Sequence, residues 1–278
     1  MPMMPDHRES PDTRGGEIAW YTTRVQTSTG HVPVRVIAPG GPRTGWLVWA
    51  HGGSWHSGSA QAWHHACADL AAIAGVTVVG VDYRLAPQHR HPAALHDIVA
   101  VLAWAQQQAA GEGGQVAVGG DSAGGTIAAC AALLMRDRGH ALAAQVLAYP
   151  PTDPQCRADS YHRDASAFPH ADALRAAWRS YRGVRPPESS SLYSTPLEAS
   201  DLTGLAPAIM GVGDLDPVID DVRDYRKRLL DAGVRVRYQE FPATAHAAFL
   251  APASWLREWL GSTLAAVLSL PLQQGTAS

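Results

Sequence analysis

Cysteine is scarce in this 278-residue chain: Cys67, Cys130 and Cys156 are odd in number and far apart. A disulfide framework is thereby excluded, and a reducing compartment, the cytoplasm, is expected. An excess of one charge is lacking as well. The formal net charge is -3 with both signs interspersed and no Lys/Arg block, which argues against nucleic acid or a membrane surface as partner. No uncharged apolar run reaches the roughly 18 residues that span a bilayer. The nearest, "ASWLREWLGSTLAAVLSL", is interrupted by Arg257 and Glu258. The opening 16 residues, "MPMMPDHRESPDTRGG", have neither the basic start nor the apolar run of a signal peptide. They are expected to be a flexible lead-in. Repeats and low-complexity linkers are absent too, so one domain over 1–278 is expected.

The composition is that of a globular protein, with 46% hydrophobic and 17% charged residues. "EIAWYTTRVQT" and "HVPVRVIAP" alternate polar and apolar residues around "STG", which predicts an antiparallel hairpin at a sheet edge. "GWLVWA", "VTVVGVDY", "QVAVGG", "AQVLAYP", "PAIMGVG" and "VRYQEF" are short, mostly apolar and rich in β-branched residues. Such runs predict strands covered on both faces. Between them lie helical patterns, with Leu95, Ile98, Val99 and Leu102 on one face, and Val218, Val222, Tyr225 and Leu229 on another before a stop at Gly233. The order is an α/β fold: a mostly parallel, doubly wound sheet of eight strands with helices on both faces. One segment breaks the alternation. Residues 152–205 hold no strand and read as a small lid insertion with one helix, "HADALRAAWRSYRG".

The stretch "GGDSAGGTIAACAALLM" (119–135) admits two readings. Ser122 before an Ala-rich run is an ordinary helix N-cap. It is equally the nucleophile of a Gly-x-Ser-x-Gly elbow, which requires a strand before it and a helix after it. "QVAVGG" and "SAGGTIAACAALLM" supply both, and Gly120 and Gly124 remove the side chains that the sharp turn would press together. A reactive serine needs a base, a group to orient that base and an oxyanion hole. "GVGDLDPVIDD", "FPATAHAAF" and "VWAHGGSW" each follow a strand, so their loops meet at the carboxyl edge of the sheet, where ligands bind. The base would be His246. The acid would be Asp216, with Asp214 as its rival; Asp220 and Asp221 fall in a first helical turn and complement its dipole.

The set "HGGSW", "DYRLAP", "HPAALHD", "GDSAGG", "PPTDP" and "LAPAIMGVGDLDPVIDD" resembles the hormone-sensitive-lipase-like (bacterial family IV) esterases of the α/β-hydrolase superfamily, over about 45–249. The resemblance implies an α/β-hydrolase fold with Ser122 as nucleophile, Asp216 as orienting acid and His246 as base. It also implies an oxyanion hole of the amides of Gly52, Gly53 and Ala123. The chain departs from the pattern at Ser54, where the family has a third glycine, and at Ala247 in place of the glycine after the histidine. The family's N-terminal helical lid is largely missing, because most residues before His51 read as strands.

His51 reads as a brace for the oxyanion loop, and Asp82, Tyr83 and Arg84 as a buried polar network behind it. His64, His65, His89 and His91 have no Cys or carboxylate at ligand spacing. They read as solvated or helix-surface histidines, with no metal and no cofactor. Trp55, with Phe168, Trp178 and Tyr181 from the insertion, would wall a shallow substrate-binding pocket for acyl chains of about two to six carbons. The partner is a small-molecule ester; a homodimer is left open. An arylformamidase-like amidase, which shares His-Gly-Gly-x-Trp, and a non-catalytic ligand-binding module on the same fold are the alternatives.

Overall fold

A computed structural model describes residues 18–28, 30–112, 114–164, 166–183 and 192–269. The N-terminal segment 1–16, expected to be flexible, lies outside the described residues, as does 184–191 of the insertion. Eight strands form one sheet: β1 Ile18–Thr27, β2 Gly30–Pro39, β3 Gly45–Ala50, β4 Thr77–Val81, β5 Gln115–Asp121, β6 Gln145–Ala148, β7 Ala208–Gly213 and β8 Val236–Phe241. Their order across the sheet is β1-β2-β4-β3-β5-β6-β7-β8. β1 and β2 form the antiparallel edge hairpin, β2 is antiparallel to β4, and every pairing from β4 to β8 is parallel.

Every residue of β3, β4, β6 and β7 is buried. Successive side chains of a strand point to opposite faces, so both faces of this sheet are covered. The cover is α1 His64–Ala74, α2 Ala93–Glu112, α3 Ala123–Asp137, α5 Ile219–Asp231 and α6 Trp255–Leu268, while α4 Ala171–Arg182 lies in the insertion. Leu95, Ile98 and Leu102 of α2 are fully buried, as are Val222, Tyr225 and Leu229 of α5, as their spacing predicts. None of the helices among the described residues is long and apolar enough to cross a membrane.

From β3 the chain crosses one way, to β4, and from β5 it crosses the other way, to β6. β3 and β5 are neighbours, so their carboxyl ends flank the switch point where doubly wound sheets bind ligands. The loops carrying "HGGSW" and "DSAGG" therefore start side by side.

Between β6 and β7 the described residues hold α4 and two short 3-10 turns, Asp159–His162 and Pro196–Glu198, and no strand. α4 buries Leu174, Ala177, Trp178 and Tyr181 and stops at Gly183, φ 85°. The segment is tied down by Asp221, whose Oδ2 accepts the Thr152 and Asp153 amides at 2.7 and 2.9 Å and the Tyr161 hydroxyl at 2.9 Å. This corrects the dipole reading of Asp221: it is a buried anchor, and burial pushes its carboxyl up to about 6. The three cysteines are free and buried, in α1, in α3 and just after β6.

Candidate active site

The elbow is local chemistry first. β5 ends at Asp121, α3 begins at Ala123, and Ser122 between them holds φ 51°, ψ -126°. A serine in that region is strained, and the surroundings impose it. A Cβ on Gly120 would overlap the backbone of Gly124, and one on Gly124 would overlap the carbonyl oxygen of Ala50 at the end of β3. The side chain of Ser122 makes no capping bond to the helix, so the N-cap reading fails. Its Oγ donates instead to His246 Nε2 at 2.9 Å.

His246 stands on the loop after β8. Its Nδ1 donates to Asp216 Oδ2 at 2.8 Å and approaches Oδ1 at 3.0 Å. Asp216, on the loop after β7, is buried and also accepts the Val218 amide at 3.0 Å. Asp214 goes elsewhere: its Oδ1 accepts the Thr244 amide at 3.3 Å and ties the two loops together. Tyr149 places the far end of the histidine loop by accepting the Phe249 amide at 3.0 Å, while Phe249 stacks on Trp49 at 4.5 Å. Arg257 donates to the carbonyls of Phe249 and Ala251 and pairs with Asp69 at 2.7 Å.

The oxyanion loop is curled by three successive residues with positive φ: Gly53 (110°), Ser54 (54°) and Trp55 (64°). Of the three expected amides, Gly52 is already engaged, because it donates to Asp121 Oδ1 at 3.1 Å. That removes Gly52 from the expected oxyanion hole. The amides of Gly53, Ser54 and Ala123 donate to no group among the described residues. His51 is buried, donates from Nδ1 to the Gly52 carbonyl at 2.7 Å and stacks on Tyr83 at 4.3 Å. Burial lowers its pKa, which keeps the ring neutral. The Tyr83 hydroxyl donates to the His51 carbonyl at 2.7 Å. The network expected of Asp82, Tyr83 and Arg84 divides: Asp82 holds the Ala60 amide, and Arg84 pairs with Asp97 at 2.9 Å.

Asp121 is the functional residue that sequence reasoning passed over. Its Oδ1 accepts Trp63 Nε1 at 2.8 Å, the Gly52 amide at 3.1 Å and Trp49 Nε1 at 3.2 Å. This carboxylate links the elbow, the oxyanion loop and α1's entry. Burial raises its pKa to about 6, against the pull of the three N–H donors.

Three of the expected substrate-binding residues present no surface. Trp55, Trp178 and Tyr181 are each 1% exposed. Trp55 lies 4.2 Å from Trp178 and stacks on Tyr181 at 5.0 Å, so the insertion seals against the oxyanion loop through an internal aromatic block. His91, read as a surface histidine, is buried in that block and bonds the Tyr181 hydroxyl at 3.2 Å and the Leu192 carbonyl at 3.1 Å. Phe168 alone of the four is open to solvent, 5.6 Å from the His246 ring.

An eight-stranded sheet with a serine elbow, a histidine and an acid on successive carboxyl-end loops defines an α/β hydrolase. The chain matches the family described by the alpha/beta hydrolase fold over residues 47–250. It belongs to that family, in its hormone-sensitive-lipase-like branch. It is 35% identical over 237 residues to the carboxylic ester hydrolase LipN of Mycobacterium tuberculosis, covering 78% of this chain and 61% of LipN. It is 35% identical over 235 residues to the ethyl acetate hydrolase of Pseudomonas putida, covering 80% and 73% of the two chains. Among solved structures, the esterase LipW of Mycobacterium marinum superposes with a TM-score of 0.82 at 32% identity, covering 91% of this chain and 83% of LipW.

Proposed function

We propose that this chain hydrolyses short-chain acyl esters through Ser122, His246 and Asp216. The chain is a carboxylic ester hydrolase, and the observation that carries the mechanism is the relay itself. Ser122 Oγ sits 2.9 Å from His246 Nε2, whose Nδ1 sits 2.8 Å from a buried Asp216. His246 takes the serine proton as Oγ attacks the ester carbonyl, and Asp216 fixes the tautomer and stabilises the imidazolium. The oxyanion that forms is held by the amides of Gly53, Ser54 and Ala123, each such donor contributing about 3 kcal/mol to the rate. His246 then hands its proton to the departing alkoxide, and water releases the acyl group by the same relay in reverse.

Short acyl chains are favoured because Trp55 of the oxyanion loop is sealed against Trp178 and Tyr181 of the insertion, which leaves no deep apolar slot between the two. The likeness to an ethyl acetate hydrolase, named for a two-carbon acyl ester, supports the same reading. Residues 152–205 act as a small lid within a single domain, anchored through Asp221, and the buried free thiols fit a cytoplasmic setting. The test is covalent labelling by a fluorophosphonate together with hydrolysis of p-nitrophenyl acetate. Wild-type protein should label once and turn over the ester, and Ser122→Ala should do neither. Labelling at another residue, or none, would overturn the assignment.

A further inference from the structure

Two aromatic rings of opposite exposure contact His246. Tyr149, fully buried, lies 4.7 Å away between centroids. Phe168 meets the ring at 5.6 Å, inclined 65°, and is 62% exposed. Single apolar residues at a surface are ordinary, but an exposed aromatic ring set against the ring of the base calls for an occupant.

The chemistry says which part of the substrate that occupant is. This step rests on the triad proposed above. In the tetrahedral adduct the carbon carries Ser122 Oγ, an oxyanion turned to the loop amides, the acyl group and the alkoxy oxygen. As the bond from carbon to the alkoxy oxygen breaks, that oxygen takes the proton from His246 Nε2, so it must lie within hydrogen-bond reach of that nitrogen. The group it bears then runs out along the imidazole. Of the two rings in contact with His246, Tyr149 is fully buried and Phe168 is open to solvent, so the alcohol leaves along Phe168. We propose that Phe168 forms the leaving-alcohol subsite and selects esters of apolar, above all aryl-bearing, alcohols.

The test holds the acyl group fixed and varies the alcohol. kcat/KM is measured for benzyl acetate and methyl acetate with wild type, Phe168→Ala and Phe168→Tyr, alongside p-nitrophenyl acetate and butyrate. Wild type should prefer the benzyl ester. Phe168→Ala should lower the benzyl-to-methyl ratio roughly 3- to 10-fold, the range expected for losing one aromatic pair. Phe168→Tyr should restore it, and the butyrate-to-acetate ratio should hold throughout. Phe168→Ala protein that hydrolyses the acetates, and of which a separate sample labels with the fluorophosphonate, but whose benzyl-to-methyl ratio does not move would overturn the subsite alone, as would a change confined to the acyl ratio. Wild type that neither labels nor hydrolyses would overturn the triad and the subsite with it.

Discussion

Replacing Asp121 by asparagine should make the protein more stable at pH 8 than wild type and no different near pH 4. In the folded chain the carboxyl is raised from 3.8 to about 6, chiefly by burial. A group raised on folding contributes stability that is complete below its unfolded value and is lost as pH rises through its folded value. For Asp121 the window is therefore about pH 4 to 6, and a rise of about two pH units corresponds to ~3 kcal/mol. Asparagine cannot ionise, so its variant lacks that loss. The substitution keeps the geometry, because the Trp49, Gly52 and Trp63 donors all converge on the single oxygen Oδ1, which an amide oxygen can replace. The assay is urea unfolding of both proteins at pH 4.5, 6 and 8. The gap between them should open with pH, and using differences cancels the similar slope that Asp221 gives both proteins. A gap that stays constant from pH 4.5 to 8 would refute the reasoning. Asp121→Ala is the contrasting case: it strands three N–H donors, the two buried ones at about 1–3 kcal/mol each, and frees the oxyanion loop, so activity should fall along with stability.

The remaining expectations concern the relay and the pocket. Ser122→Ala and His246→Ala should each abolish ester hydrolysis while circular dichroism stays native; a tenth of wild-type activity in either would reject that residue's role. Asp216→Asn should lower kcat by several orders of magnitude through the wrong histidine tautomer. Asp214→Asn, whose wild-type carboxylate holds the Thr244 amide and not His246, should cost far less, and the reverse order would move the acid two positions upstream. Across p-nitrophenyl esters from acetate to decanoate, kcat/KM should climb by about fourfold per methylene and then stop after a few carbons. A climb that continues to decanoate would mean an open groove beside Trp55.

The strands were legible because a strand buried on both faces writes itself as an unbroken apolar run, as in "GWLVWA". Ser122 was legible because the elbow needs small residues at fixed offsets, and Gly120 and Gly124 stand there. Asp121 was not. Its partners Trp63 and Trp49 lie 58 and 72 residues away, and nothing beside them in the sequence says that two indoles point at one carboxylate. Gly52 was misjudged for the same reason, since an amide's availability depends on a distant acceptor. The aromatic residues of α4 show a different failure. Leu174, Ala177, Trp178 and Tyr181 follow the spacing of a single helical face, the mark of an inward stripe, yet Trp178 and Tyr181 were read as pocket wall. Asp221 looked like a dipole partner because position in a first turn is visible locally, whereas the Thr152 and Asp153 amides that it holds are not.

The buried cysteines give the molecule three built-in reporters of its own opening. Disulfide reagents are attacked by thiolates, and burial raises all three thiols, Cys156 to about 12. In the closed protein they are both shielded and protonated, so modification has to wait for a local excursion. Cys67 then times the release of α1, Cys130 the loosening of the helix behind Ser122, and Cys156 the lifting of the insertion from the sheet. Each factor of ten between their labelling rates is about 1.4 kcal/mol of opening free energy. Substrate analogues that slow Cys156 while leaving Cys67 alone would show the insertion moving as a unit of its own.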